Sequence, residues 1–326
     1  MDRIRLGIAG PGRIVHRVMT DLRRAEHIDV AAVASRSMER ARQAAAELDI
    51  PLAFGSYEDM ARSDAIDLAY VALPHPFHCA VAKLFLENGK HVIVEKPFAV
   101  NGREAREMVA CAKANGRFLM EAMWTRFFPM ARALKQMIDA GELGEIRRIT
   151  GDFASTAKPD YGDRLFNPAL AGGSLLDVGV YPLSMMCYYK GALPRRIQVL
   201  SAKTVTGVDA VCAFQAQFAD GAVGQGFSAL DVSTEHAMMI YGTKARVEIP
   251  QFWHACRFIV HRPGQAPEAH EFAPESEGFY HEFECAARCI LSGETDQPVI
   301  PLGESVAIMD AMDAMRAQMG VSYPNE

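Results

Sequence analysis

Three side chains of this 326-residue sequence have the chemistry to move a proton together: Lys96, Asp177 and Tyr181. Asp177 and Tyr181 are four residues apart in Gly172-Gly173-Ser174-Leu175-Leu176-Asp177-Val178-Gly179-Val180-Tyr181-Pro182. On a helix that spacing puts the acid and the phenol on one face. A free phenol titrates near about 10, and a neighbouring ammonium lowers that value and favours the tyrosinate. Lys96 is the candidate ammonium. It lies in Glu95-Lys96-Pro97, directly after the apolar run His91–Val94. If that run is a parallel strand, Lys96 sits at its carboxyl end, where such sheets bind ligands. Each feature also has a plain structural reading. A lysine in a turn is usually solvated, and Tyr181 equally fits a buried helix in which its hydroxyl meets a backbone carbonyl.

The sharpest local pattern is Gly7-Ile8-Ala9-Gly10-Pro11-Gly12-Arg13-Ile14-Val15. Gly10 and Gly12 match the first two glycines of the dinucleotide fingerprint, with Val15 where a third glycine or alanine is usual. Glycine permits the tight turn and a close backbone approach to a pyrophosphate. The next helix then offers its N-terminal amides, from Arg13 and Ile14 onward. Val15 predicts a slightly wider helix–strand contact, not lost binding. Where an NAD site carries an acid for the ribose hydroxyls, this chain has Ser35, Arg36 and Ser37. Arg36 can pair with a 2′-phosphate and stack on adenine while the serines donate hydrogen bonds, which points to NADP(H) over NAD(H). An exposed arginine at a helix start is the plain alternative. Leu73-Pro74-His75-Pro76-Phe77-His78 follows another apolar run. Its two histidines lack a nearby third ligand, so no metal site is expected. Leu73, His75 and His78 read as a loop beside the nicotinamide, or as a turn that opens the next helix.

These residues need a scaffold, and the first 120 positions supply one by alternation. Apolar runs at Ile4–Ala9, Val30–Ala34, Leu68–Ala72, His91–Glu95 and Phe118–Met120 read as strands. Between them lie amphipathic stretches, Arg13–Ala25, Met38–Leu48, Cys79–Asn88 and Arg103–Asn115, that read as helices. Continuous apolar strands alternating with helices predict a parallel sheet covered on both faces. After about Glu121 the pattern changes. A helix (Met130–Ala140), a strand (Arg147–Phe153) and a single helix over Gly172–Tyr189 are followed by two-residue alternation. Asp220-Gly221 and Gly242-Thr243 mark hairpins, so residues 121–326 read as an α+β domain on an antiparallel sheet. Two helices, Tyr280–Leu291 and Glu304–Met319, end the chain.

Composition narrows the function. Half of the residues are hydrophobic and 23% are charged, as in a globular protein with a large core. A net charge of −6 argues against a general affinity for nucleic acid or anionic membranes. No uncharged apolar run approaches the roughly 18 residues that span a bilayer. The start, Met1-Asp2-Arg3-Ile4-Arg5, lacks a signal-peptide core. Seven cysteines without a C-x-x-C pair read as reduced thiols of a cytoplasmic protein, Cys285 and Cys289 lining the core. Apolar residues on both faces of the later strands, Phe214 and Val211 among them, predict a homodimer formed sheet to sheet, or a tetramer.

The glycine loop, Glu95-Lys96-Pro97, Glu121-Ala122-Met123-Trp124-Thr125-Arg126-Phe127-Phe128-Pro129 and Gly172–Tyr181 occur in the order seen in the Gfo/Idh/MocA oxidoreductases, and the resemblance covers nearly the whole chain. The Trp124 segment resembles the branch that contains dihydrodiol, xylose and, more distantly, glucose–fructose oxidoreductases. The resemblance implies an N-terminal Rossmann domain, residues 1–120, and a C-terminal α+β domain built on an open, mostly antiparallel sheet. It implies NADP(H) and reversible oxidation of a secondary alcohol. Lys96 matches the family's lysine near the nicotinamide, Asp177 its substrate-orienting acid and Tyr181 its acid/base position. Glu95, Trp124 and Arg126 join the implied cofactor contacts, and the peptide before Pro97 is implied to be cis. Trp124, Phe153, Trp253 and Phe279 match an aromatic substrate pocket, against a reading of each as ordinary core.

In the implied mechanism Tyr181 takes the hydroxyl proton as hydride leaves for the nicotinamide. Lys96 stabilises the oxyanion, and Asp177 orients a neighbouring hydroxyl or the lysine. The substrate is a small cyclic vicinal diol or, alternatively, an aldose or ketosugar. A non-catalytic NADP(H) sensor is the rival from another class, and the presence of Lys96, Asp177 and Tyr181 counts against it.

Overall fold

The computed structural model describes residues 3–273, 277–324 and 326. Its strands are β1 (Ile4–Ala9), β2 (Ile28–Ala34), β3 (Leu52–Phe54), β4 (Leu68–Val71), β5 (His91–Glu95), β6 (Leu119–Ala122), β7 (Ile146–Ala154), β8 (Arg196–Lys203), β9 (Asp209–Gln217), β10 (Val223–Ala229), β11 (Met238–Gly242), β12 (Arg246–Ile249), β13 (Arg257–His261) and β14 (Glu268–Glu271). Its helices are α1 (Arg13–Leu22), α2 (Met38–Glu47), α3 (Tyr57–Arg62), α4 (His78–Glu87), α5 (Gly102–Asn115), α6 (Pro129–Asp139), α7 (Val180–Lys190), α8 (Tyr280–Leu291) and α9 (Leu302–Met319).

The chain divides into two compact units. The first comprises Met1–Trp124 and Glu275–Val306, the second Thr125–Pro274 and Ala307–Glu326. The expected single boundary at residue 120 is therefore corrected: α8 and the start of α9 return to the first unit.

The first unit holds a parallel six-stranded sheet in the order β3-β2-β1-β4-β5-β6. Strand order reverses between β1 and β4, so a crevice opens at their carboxyl ends. The strands are mainly apolar because both faces are covered; Leu6, Ile8, Leu68, Tyr70, Val92 and Val94 are all fully buried. The pair β3 and α3 is absent from the sequence reading. A three-residue edge strand and a six-residue helix capped by Ser56 are too short to show a period.

The second unit carries an eight-stranded sheet in the order β14-β13-β12-β11-β7-β10-β9-β8. Every pair is antiparallel except β7 with β10. Both hairpins lie where their glycines predicted them. Strand β13 and the edge strand β14 were not foreseen, and the charged sequence of β14 carries no apolar alternation. The window Pro168–Lys190 is long and apolar enough to cross a membrane, yet 89% of it is buried inside the protein. It is a core segment, and it carries Asp177 and Tyr181.

Candidate active site

The first unit builds a nucleotide cradle at the end of β1. Gly10 has φ +97°, and a Cβ there would lie 2.5 Å from Leu73 Cδ2 and 2.9 Å from the Ala72 carbonyl oxygen. Gly12 is different. It is exposed, and the nearest protein atom to a Cβ would be the Ala72 oxygen at 3.7 Å. Nothing in the protein therefore demands glycine at 12, whereas a group lying against the turn would. Gly12 opens α1 with no side-chain cap and no acid in the first turn. That leaves the positive end of the helix dipole and its first amides suited to a pyrophosphate. These features fit the dinucleotide. Val15 is fully buried beneath.

Sequence elements around the cradle take unequal roles. Arg36 is exposed, its guanidinium 5.6 Å from the Phe77 ring centroid. Arg36 and Arg40 both act on Tyr57, drawing its phenol down against the upward push of burial, so two cations cluster at the end of β2. Ser35 is nearly buried. The Ser37 hydroxyl accepts from the Arg40 amide at 3.4 Å and caps α2, so part of its expected capacity serves the helix. Leu73 covers Gly10, and His75 is buried with its ring centroid 5.9 Å from that of His78. His78 is a correction. Its ring has no exposed surface, with Nδ1 3.0 Å from the Pro97 oxygen and Nε2 2.8 Å from the Leu73 oxygen. Burial holds its pKa below the usual histidine value. It braces two loops and presents nothing to a cofactor.

The Lys96 turn is held from behind. Tyr70 donates its hydroxyl to Glu95 Oε1, and Glu95 Oε2 accepts from the Lys96 amide at 3.1 Å. Glu95, half-buried, therefore braces the turn. Glu121, the first residue of the Trp124 motif, accepts from the Phe98 amide at 3.1 Å and the Ser305 hydroxyl at 2.7 Å. The Lys96–Pro97 peptide is cis, as expected. On α8, fully buried Glu282 has no hydrogen-bond partner at either oxygen among the described residues. Burial first, then Glu95 and Glu121, push its pKa well above the usual carboxylate range.

In the second unit the expected uniform helix begins differently. Leu175–Gly179 is a π-turn, and α7 starts only at Val180. The i,i+4 argument for Asp177 and Tyr181 does not hold across it, because a π-turn inserts an extra residue. The cause is local. Gly173 has φ +118°, and a Cβ there would strike Asp209 Oδ1. Asp209 Oδ2 accepts from the Ser174 hydroxyl at 2.8 Å and the Leu175 amide at 2.7 Å. A Cβ on Gly179 would lie 2.8 Å from Ser228 Oγ, so glycine lets the wide turn press on β10. Asp177 Oδ1 accepts from Arg164 Nη1 at 2.7 Å. Arg164 was missed, because a loop arginine thirteen residues upstream carries no periodic signal.

The four expected pocket aromatics form two pairs, one in each unit. Trp124 stacks on Phe279 with centroids 4.1 Å apart and planes at 16°, under the Arg17 guanidinium. Phe153 stacks on Trp253 at 5.2 Å and 27°, and the Tyr181 ring lies 5.2 Å from Phe153 at 53°. Thr125, also missed, donates its hydroxyl to the Trp253 carbonyl at 2.8 Å. Arg126 is a further correction. It is fully buried, donates from Nε and Nη2 to Ser184 of α7, and lies 5.1 Å over Tyr188. Its charge anchors the helix that carries Tyr181 and has no surface for a cofactor. Cys289 is buried and Cys285 half-buried. Among the described residues no cluster of histidine, cysteine and carboxylate side chains is placed to hold a metal.

Comparison with known proteins sets this geometry in context. Residues 4–123 match the profile of an oxidoreductase family with an NAD-binding Rossmann fold, GFO_IDH_MocA. Residues 131–248 match the GFO/IDH/MocA C-terminal domain. Trans-1,2-dihydrobenzene-1,2-diol dehydrogenase from Sus scrofa is 35% identical over 334 residues, covering 99% of each chain. The enzyme of that name from Bos taurus is 34% identical with the same coverage. Among solved structures, aldose-aldose oxidoreductase from Caulobacter crescentus, complexed with glycerol, superposes with a TM-score of 0.88. It is 25% identical and covers 98% of both chains.

Proposed function

Because this chain belongs to the Gfo/Idh/MocA family of oxidoreductases, we propose that it oxidises a secondary alcohol of a cyclic vicinal diol or cyclic sugar, with NADP(H) preferred over NAD(H). The observation that carries the substrate class is the clustering of Tyr181 with the Phe153–Trp253 stack in a unit that also holds the Asp177–Arg164 pair. Aromatic faces receive the apolar faces of a ring, and the polar groups address its hydroxyls. The trans-dihydrodiol enzymes from Sus scrofa and Bos taurus favour a diol, and the aldose-aldose oxidoreductase favours a sugar.

A bound nicotinamide supplies the hydride acceptor. The chain's residues do the rest. Gly10, Gly12 and the first amides of α1 hold the pyrophosphate. Arg36, joined by Arg40, meets the 2′-phosphate. Tyr181, in its tyrosinate form, takes the proton from the reacting hydroxyl on its phenolic oxygen. Lys96, on a turn fixed by Glu95 and Glu121, neutralises the oxygen as it becomes anionic. Asp177, oriented by Arg164, holds a neighbouring hydroxyl. The test is turnover of xylose, glucose and a trans-dihydrodiol with NADP⁺, read as reduced-cofactor absorbance, for wild type and Tyr181→Phe. Wild type should turn over one class, and the variant should lose roughly 10²–10⁴ in kcat while still binding NADPH. Full activity in Tyr181→Phe removes the phenol from the mechanism. Cofactor binding without turnover of any alcohol favours the sensor.

We also propose a homodimer through the outer face of the second unit's sheet. Leu200 is 80% exposed, and its register places it in a row with Ala213 and Phe227. Light scattering should return twice the 35.8 kDa chain mass, and Leu200→Glu should halve it; a monomeric wild type rules the dimer out.

A further inference from the structure

His236 lies outside every sequence motif and beside the second unit's aromatic stack. Its ring centroid is 4.7 Å from that of Phe153 at 48°, and 6.4 Å from that of Trp253 at 73°. Phe153 is thus flanked by His236 as well as by Tyr181, whose centroid is 5.2 Å away. The position of His236 is over-determined. Its backbone adopts φ +55°, a left-handed conformation that few residues other than glycine tolerate, although histidine is among those enriched there. The His236 amide donates to Asp152 Oδ2 at 3.0 Å, and its carbonyl accepts from the Phe252 amide at 2.8 Å. Strained backbone held from several sides marks a side chain whose direction matters.

The ring is fixed as well. Nε2 lies 2.8 Å from the Ala154 carbonyl oxygen and 3.3 Å from Ser155 Oγ. A carbonyl only accepts, so Nε2 carries the hydrogen, and in the neutral ring Nδ1 is left as an acceptor. The ring is partly exposed. It therefore presents one oriented acceptor beside the aromatic surface that Tyr181 also borders.

We propose that His236 is a specificity-determining residue that accepts a hydrogen bond through Nδ1 from a second hydroxyl of the substrate, selecting ring compounds with two neighbouring hydroxyls over simple secondary alcohols. This rests on the alcohol-oxidising reading above and deepens it. Asp177 and His236 would then divide the hydroxyls that Tyr181 does not take. A site with an unpaired acceptor discriminates against an analogue that lacks the matching donor.

The test compares trans-1,2-cyclohexanediol with cyclohexanol, using NADP⁺, in wild type and His236→Phe, which keeps a ring against Phe153 without the acceptor. The ratio of kcat/KM for diol over mono-alcohol should fall about 10- to 100-fold. Should phenylalanine not fold at φ +55°, His236→Gly adopts that backbone without strain and should lower the same ratio. A packing role alone moves both substrates together, and an unchanged ratio overturns the proposal. Turnover by wild type tests the underlying reading separately. Diol binding, read by quenching of tryptophan fluorescence with NADP⁺ present, tests His236 even in a protein that turns nothing over. Weaker diol binding in the variant supports the proposal, and equal affinity overturns it.

Discussion

At the residue scale, the proposed preference for NADP(H) rests on one exposed guanidinium. Arg36 stands where an acid would otherwise select unphosphorylated ribose, and Arg40 adds a second charge nearby. Arg36→Ala should weaken NADPH by about 10-fold or more, the worth of a charge-assisted contact, and NADH far less. Cofactor fluorescence titrations read both constants, and equal weakening would sink the selectivity argument. Motif residues that a sequence can reveal divide here between contact and support. Gly12 and Arg36 face outward, whereas Arg126 and His78 turn inward to hold the pieces that do. Residue type and motif position cannot separate these roles, since the same charged side chain can serve the ligand or the scaffold. Only its neighbours decide.

At the element scale, the segment that carries Asp177 and Tyr181 depends on Asp209 of β9. This carboxyl is almost wholly buried, and burial raises it from 3.8 to about 6 against the opposing hydrogen bonds from Ser174 and Leu175. Cys212 and Tyr323 are the titratable groups coupled to it. A pKa raised by folding means that the native state holds the proton more tightly than the unfolded chain. Stability is then greatest below about pH 4 as far as this group is concerned, and it falls as pH rises to about 6, by an amount on the order of 2–3 kcal/mol. Asp209→Asn should flatten that slope in melting temperature between pH 4 and 6 while retaining an acceptor for Leu175. A mutant with the wild-type slope would show that Asp209 titrates normally. A helix over Gly172–Tyr189 was legible from composition; its π-turn was not. That turn arises from the contact of Gly173 with Asp209 and of Gly179 with Ser228, neither of which has a local signature.

At the scale of the whole molecule, the first unit is assembled from two stretches of chain. Phe279 covers Trp124, Phe283 meets Tyr70 edge-on at 5.1 Å, and the Phe279 amide donates to Asp21 of α1 at 2.6 Å. Residues 1–124 alone would expose those apolar faces, a loss of several kcal/mol for large aromatic contacts. We expect that fragment to lack a cooperative thermal transition by circular dichroism. Joining residues 277–306 through a short linker should restore one, and a cooperatively folded 1–124 fragment would contradict this dependence.

Strand and helix order, the glycine turn and the hairpins were determined by the sequence itself, because each arises from neighbours within a few positions and from repeats that amphipathic burial imposes. The tertiary structure alone decided that α8 returns to the first unit, that Arg164 pairs with Asp177, that the aromatics form two stacks, and that His236 borders one of them. Those pairings join residues remote in the chain. Their energies come from contacts that exist only after collapse, so no local pattern encodes them.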